Sequence, residues 1–166
     1  MYNLKKLSTE KFKQLLKLVN ESTPMTENEL NTLNQNSVGL VDYSYKGKGP
    51  MKISFISPSK NGNLTKFLQE ILSISETEIV SIHLNEYRES SKTLPHRDSQ
   101  SSRTYLILLS NSSDGGELTL EGYVVPFNQV GQIIDYDGGT IMHGVREIKK
   151  GFRKTLVVWT RRKSMF

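Results

Sequence analysis

"LPHRDSQSSRTYLILL", residues 94–109, sets a histidine and an aspartate two positions apart at the mouth of an apolar run. The chain has only three histidines, so the placing of His96 beside Asp98 asks for a reason. In an extended strand successive side chains alternate between faces. His96 and Asp98 then share one face, about 6–7 Å apart along the backbone. Both can lean toward a common point.

Working outward, the chain after residue 77 is a succession of short β-rich runs: "EIVSIHLNEY", "RTYLILLS", "ELTL", "YVVPF", "GQIIDY", "GTIMHGV" and "FRKTLVVWT". Turn signals stand between them, among them "SSDGG", "PFNQVG" and "DYDGG". So many strands in so short a length predict an antiparallel sandwich or closed barrel. The first part of the chain reads helical. Phe12, Leu15, Leu16, Leu18 and Val19 recur near helical spacing after Ser8-Thr9-Glu10. "TENE" puts Glu29 three residues after a capping Thr26, which predicts a second helix ending near Gln35-Asn36. "VGLVDYSY" (38–45) reads as a strand followed by the basic turn "KGKGP", and "NGNLTKFLQEILS" as a third helix with Leu64, Phe67, Leu68 and Ile71 on one stripe. The expectation is a single domain over 1–166, with a mostly helical support region (1–76) packed on a β core (77–163).

The 166 residues contain no cysteine, which removes thiolate chemistry, cysteine-ligated zinc and iron–sulfur clusters. Lysines interrupt the apolar positions of the N-terminal stretch, unlike a signal peptide, and no run approaches the roughly 20 apolar residues of a membrane span. A cytoplasmic protein with no membrane partner is expected. The net charge of +5 admits an anionic partner such as nucleic acid, although the basic residues are spread along the chain, with small clusters at Lys149-Lys150 and Arg161-Arg162-Lys163.

His143, in "TIMHGV", supplies a third group. Two histidines and a carboxylate can cap one face of an octahedral ion and leave three positions open, the arrangement of non-haem Fe(II) oxygenases; zinc favours four ligands, or three and one open position. A chance His-x-Asp pair on a surface strand and a hydrogen-bonded structural histidine remain the alternatives. In "RKTLVVW" alternation puts Arg153, Thr155, Val157 and Trp159 on one side, Lys154, Leu156 and Val158 on the other. Both sides are partly apolar, so the pattern leaves the inward side open. An inward Arg153 would need an anionic partner, and a bound carboxylate would serve. An outward one would sit in water.

The order His96-x-Asp98, "DGGEL" (114–118), "GQIIDYDGG", His143-Gly-Val, Gly151-x-Arg153 and Trp159 resembles the 2-oxoglutarate/Fe(II)-dependent oxygenases, within them the prolyl 4-hydroxylase-like branch. The resemblance covers about residues 80–160. It implies a mainly β fold with α, a double-stranded β-helix (jelly roll) supported by the N-terminal helices. It implies Fe(II) held by His96, Asp98 and His143, with 2-oxoglutarate as co-substrate, O2 as oxidant and ascorbate as an optional reductant. Arg153 would pair with the far carboxylate of 2-oxoglutarate. Tyr87, on the strand face of Asn85 in "NEY", is similar to a co-substrate-binding tyrosine of several members, including AlkB-type nucleic-acid demethylases; a plain core aromatic is the other reading. Where the branch often has "YLN", this chain has "LLSN" (108–111), and Tyr105 on the same strand is the expected substitute.

The activity implied is hydroxylation of a C–H bond, with a protein or peptide side chain such as proline first among substrates. "KGKGP" and "RESSKTL" (88–94) would wall the site. A nucleic-acid or small-molecule oxygenase, or a jelly-roll binding module without turnover, are the alternatives. His83 is expected to be structural, Trp159 to pack near the site, and the glycines at 115–116 and 138–139 to permit tight turns, the second pair delivering His143.

Overall fold

The structure is a computed structural model that describes residues 1–36, 51–74, 78–98 and 103–161. The expected strand at 38–45, the "KGKGP" turn, and Arg162 and Lys163 lie outside the described residues. The chain begins with β1 (Tyr2–Lys6), α1 (Thr9–Asn20), α2 (Glu27–Asn36), β2 (Lys52–Ile56) and α3 (Gly62–Leu72). Next come β3 (Glu78–Tyr87), β4 (Thr93–His96), β5 (Arg103–Ser110), β6 (Asp114–Gly115), β7 (Leu118–Leu120) and β8 (Tyr123–Val124). The last elements are β9 (Gln132–Tyr136), β10 (His143–Val145), β11 (Ile148–Lys150) and β12 (Arg153–Arg161). All seven runs read as strands contain one, and all three expected helices form.

A six-stranded sheet, ordered β1-β9-β5-β12-β3-β2, faces a four-stranded sheet ordered β4-β10-β7-β8, and β6 pairs with β11. This is a jelly roll. The larger sheet is buried on both sides. One face carries Ile82, Ile107, Ile133, Leu156 and Val158 against Leu15, Val19, Leu64, Leu68 and Ile71 of the helices. The other turns Leu106, Leu108, Ile134, Val157 and Trp159 toward Leu118, Leu120 and Val145 of the smaller sheet. Two apolar faces make the central strands β5 and β12 nearly continuous apolar runs, so the alternation of β12 could not reveal which side faced inward.

Besides the short β6 and β11, two longer strands went unread. β1, "YNLKK", pairs with β9 (Leu4 opposite Ile134), and β2, "KISFI", pairs with β3 (Phe55 opposite His83). Both are edge strands of the main sheet. Lysines at an edge protect it from further pairing, and they also hide the strand pattern. The Lys5 ammonium donates to the Ile71 carbonyl at 2.7 Å, tying β1 to the end of α3.

The helix starts follow their capping chemistry. Ser8 accepts from the Lys11 N–H at 3.2 Å. Thr26 accepts from the Glu29 N–H at 3.2 Å while Glu29 accepts from the Thr26 N–H at 3.1 Å, a reciprocal box. Glu29 also receives the Ser57 hydroxyl at 2.6 Å and the Lys60 ammonium at 2.9 Å, pinning α2 to the segment between β2 and α3. The Ser57 bond first, then Lys60 and the Thr26 N–H, lower its pKa to about 2 from 4.5. A depressed carboxylate stabilises the fold above its unfolded value and loses that contribution as pH falls through the folded one. Glu29→Gln is therefore expected to lower the urea midpoint at pH 7. The gap to wild type should begin to close below about 4.5 and vanish near pH 2; a gap that ignores pH would contradict the ionic role.

Candidate metal centre

His96 ends β4 and His143 opens β10, and the two strands pair with these residues directly opposite. That register brings the imidazole centroids to 4.4 Å. Asp98 stands two residues past the end of β4, where its N–H donates to the Gly138 carbonyl at 2.7 Å. Its carboxylate bridges the pair: Oδ1 lies 3.2 Å from His96 Nε2 and Oδ2 lies 3.2 Å from His143 Nε2. The ligand atoms of all three lie within 4.8 Å of one another, and Asp98 and His143 are buried.

The tautomers are set by the backbone. His96 Nδ1 lies 2.8 Å from the Leu94 carbonyl and His143 Nδ1 lies 2.8 Å from the Ile141 carbonyl. A carbonyl only accepts, so each Nδ1 carries a proton and Nε2, on the carboxylate side, is the nitrogen left to ligate a metal. Metal-bound histidines are oriented in this way. The donor set, two imidazoles and one carboxylate, fits a divalent ion such as Fe(II) that keeps open positions.

Asp98 is held by a hydroxyl that the sequence reading did not name. Thr104, on the inner face of β5, donates its hydroxyl to Asp98 Oδ2 at 3.4 Å. A Cβ on Gly138 would stand 2.8 Å from that same oxygen and collide with the Thr104 hydroxyl. The expected turn glycine thus acts by leaving room for the carboxylate. Gly138→Ala is expected to weaken Mn(II) binding by about 10–100-fold, the usual effect of disturbing a ligand's support. Calorimetric titration checks it, and unchanged affinity would contradict the packing role.

Arg153 opens β12 on the inner side and is 1% exposed. Its guanidinium lies 5.4 Å from the centre of the Tyr87 ring and 5.9 Å from that of Phe127. No carboxylate among the described residues pairs with it, and its Nη2 has no hydrogen-bond partner. Burial pulls its pKa down, with Tyr87 and Tyr136 acting in the opposite direction. Asn85 Oδ1 is likewise buried without a partner. Arg153, Asn85 and Tyr87 line the same cavity as His96, Asp98 and His143. A dianionic ligand seated there would fill the place of the missing acid.

Tyr87 shares a 2.8 Å hydrogen bond with the Thr93 hydroxyl, and burial raises its pKa. His83 lines the cavity, with Ser81 Oγ 3.3 Å from its Nδ1 and its ring against Phe55 and Trp159 at 5.0 and 4.9 Å. Trp159 is buried beside the site as expected. Tyr105 is a correction. Thr104 and Leu106 line the cavity, so strand alternation turns Tyr105 to the opposite face, where it packs on the helix-side core. It cannot substitute for the tyrosine of the "YLN" pattern.

Like Thr104, a cavity tyrosine escaped the sequence reading. Tyr136, at the end of β9, is 1% exposed and its ring centre lies 5.0 Å from that of His143. Burial raises its pKa well above the usual range, with Asp98 adding to the effect. Alternation puts Tyr136 on the face of Ile134, but Ile133 and Ile134 are both buried, so "QIIDY" does not tell which face meets the cavity.

No protein-family model matches the chain, and no curated protein matches it. Solved structures do. A viral collagen prolyl hydroxylase from Paramecium bursaria Chlorella virus-1, in complex with 2-oxoglutarate, superposes with a TM-score of 0.64 at 14% identity, covering 96% of this chain and 94% of its own. A Pseudomonas putida prolyl-4-hydroxylase gives 0.60 at 15% identity, covering 98% and 93%. A Trichoplax adhaerens prolyl hydroxylase, in complex with a hypoxia-inducible-factor peptide fragment, gives 0.62 at 15% identity, covering 96% and 83%. The fold is therefore the double-stranded β-helix found in prolyl hydroxylases. The likeness spans nearly the whole chain, including the N-terminal elements outside the motif-bearing region. Among the described residues no helix is long and apolar enough to cross a membrane.

Proposed function

We propose that this protein is a 2-oxoglutarate- and Fe(II)-dependent dioxygenase that hydroxylates a C–H bond, with a protein or peptide side chain such as proline as substrate. The observation that carries this reading is the pairing, in one cavity, of the His96–Asp98–His143 donor set with the buried, acid-free Arg153. When bound, Fe(II) supplies oxygen activation coupled to the decarboxylation of 2-oxoglutarate to succinate and CO2.

The chain's own residues do the rest. His96, Asp98 and His143 would hold the ion from one side and leave its other positions open. Arg153 would anchor the far carboxylate of 2-oxoglutarate through a charge-assisted hydrogen bond. Tyr87, fixed by Thr93, and Asn85 would border the co-substrate. Leu106, Val157 and Trp159 wall the cavity with apolar surface, which limits water around the reacting groups. Residues 88–94 would border the substrate. The peptide preference draws support from the Trichoplax neighbour, which was solved with a peptide fragment. The cysteine-free chain suits a reducing cytoplasm.

Anaerobic addition of Fe(II) and 2-oxoglutarate is expected to give a weak visible charge-transfer band, and air should then yield succinate. A proline-containing peptide should gain one oxygen by mass. Absence of both the band and succinate would overturn the oxygenase reading and leave a binding module. The net charge of +5 favours nucleic acid as the second reading. Steeply salt-dependent binding of DNA or RNA, with no peptide turnover, would move the assignment there.

A further inference from the structure

Two phenols line the cavity, and only one is committed within the protein. The Tyr87 hydroxyl is engaged with Thr93 at 2.8 Å. Tyr105 lies on the far side of the sheet. The β5 residues that line the cavity are Thr104 and Leu106, so beyond Thr104 that strand brings no hydroxyl to it. Tyr136 sits on the neighbouring strand, directly opposite Thr104. Its hydroxyl makes no hydrogen bond to any described residue, and with the residue 1% exposed it opens into the cavity alone. Its ring lies 5.0 Å from that of His143, and it lines the same cavity as Asp98 and Arg153.

A hydroxyl that opens into a cavity without a partner in the protein is available to a ligand seated there. A phenol can donate or accept, and toward an anionic ligand it donates. 2-Oxoglutarate presents only acceptor oxygens. We propose that Tyr136 donates a hydrogen bond to an oxygen of the bound 2-oxo acid, and so supplies from β9 the phenol contact that β5 lacks. The proposal rests on the oxygenase reading. It adds a residue to co-substrate binding that neither the motif order nor the strand after the metal pair would indicate.

The test is calorimetric binding of 2-oxoglutarate to Mn(II)-loaded protein without oxygen, with Mn(II) affinity and thermal midpoint measured alongside. Tyr136→Phe removes the hydroxyl and keeps the ring against His143. It is expected to weaken 2-oxoglutarate binding about tenfold or more, the usual effect of losing a hydrogen bond to a charged group, while Mn(II) affinity stays at the wild-type value. Tyr136→Met, which keeps the apolar bulk, carries the same expectation should the phenylalanine variant not fold. Equal 2-oxoglutarate affinity in the variants would overturn the Tyr136 assignment and leave the oxygenase reading standing. A parallel loss of Mn(II) affinity would make Tyr136 a support for His143 and also overturn it. A wild-type protein that takes up no 2-oxoglutarate would overturn the oxygenase reading and this assignment together.

Discussion

Arg153→Met is expected to make the ligand-free protein more stable and, at the same time, unable to bind 2-oxoglutarate. A guanidinium removed from water with no acid beside it carries an uncompensated desolvation cost of several kcal/mol. Arg153 is in that position: 1% exposed, with one terminal nitrogen unpartnered and no carboxylate partner among the described residues. Methionine preserves much of the side chain's length and can place its sulfur against the Tyr87 and Phe127 rings. Replacing buried ionic groups by apolar ones of similar size gains about 1–4 kcal/mol where it is favourable. The thermal midpoint of metal-free protein should rise accordingly.

Added ligand should offset that gain. Wild-type protein with Mn(II) and 2-oxoglutarate at a hundred times its dissociation constant gains about 2.7 kcal/mol, and the variant gains at most about 0.4 kcal/mol from the co-substrate. Losing one member of a buried charge pair weakens binding by about a hundredfold or more. Thermal melts of both proteins with and without the two ligands make the comparison. A less stable ligand-free variant would mean that Arg153 supports the fold. An unchanged response to 2-oxoglutarate would remove the arginine from the site.

Asp98→Ala should abolish the metal site while leaving the sheets intact. The carboxylate is the group that both Nε2 atoms face, each at 3.2 Å. Without it, two imidazoles remain, and a divalent ion bound by two neutral ligands at a largely open site is held weakly. Disturbing a ligand's support alone costs about 10–100-fold, so loss of the ligand should exceed about a hundredfold in Mn(II) affinity. His143→Ala should do the same. Arg153→Met, by contrast, should keep Mn(II) affinity, since its guanidinium is not among the grouped donors. Metal titration of the three variants separates the two ends of the cavity. Wild-type Mn(II) affinity in Asp98→Ala would refute the triad.

The reading of residues went furthest where chemistry and local pattern agreed. The N-cap at Ser8, the capping box at Thr26, the apolar stripe of α3 and the seven β runs are local features. Each depends on a few neighbouring residues and survives without knowledge of the fold. The triad was legible because histidine is rare in this chain and because its spacing matched a known order. β1 and β2 were missed because edge strands carry lysines and have only one neighbour, so their patterns are weak. Tyr105 was misplaced by one step of alternation, which carries a side chain to the opposite face of a sheet.

By itself, the sequence determined most element types, a sandwich or barrel class and which side chains could bind a metal, since propensity, capping and ligand chemistry are properties of residues and their neighbours; the jelly roll followed from the resemblance in motif order. Tertiary structure alone decided which face of β12 turns inward, leaving Arg153 without an acid, and which tyrosines reach the cavity. It also decided that Gly138 makes room for Asp98. These are matters of what stands opposite, and a sheet covered on both faces leaves no trace of that in the order of its residues.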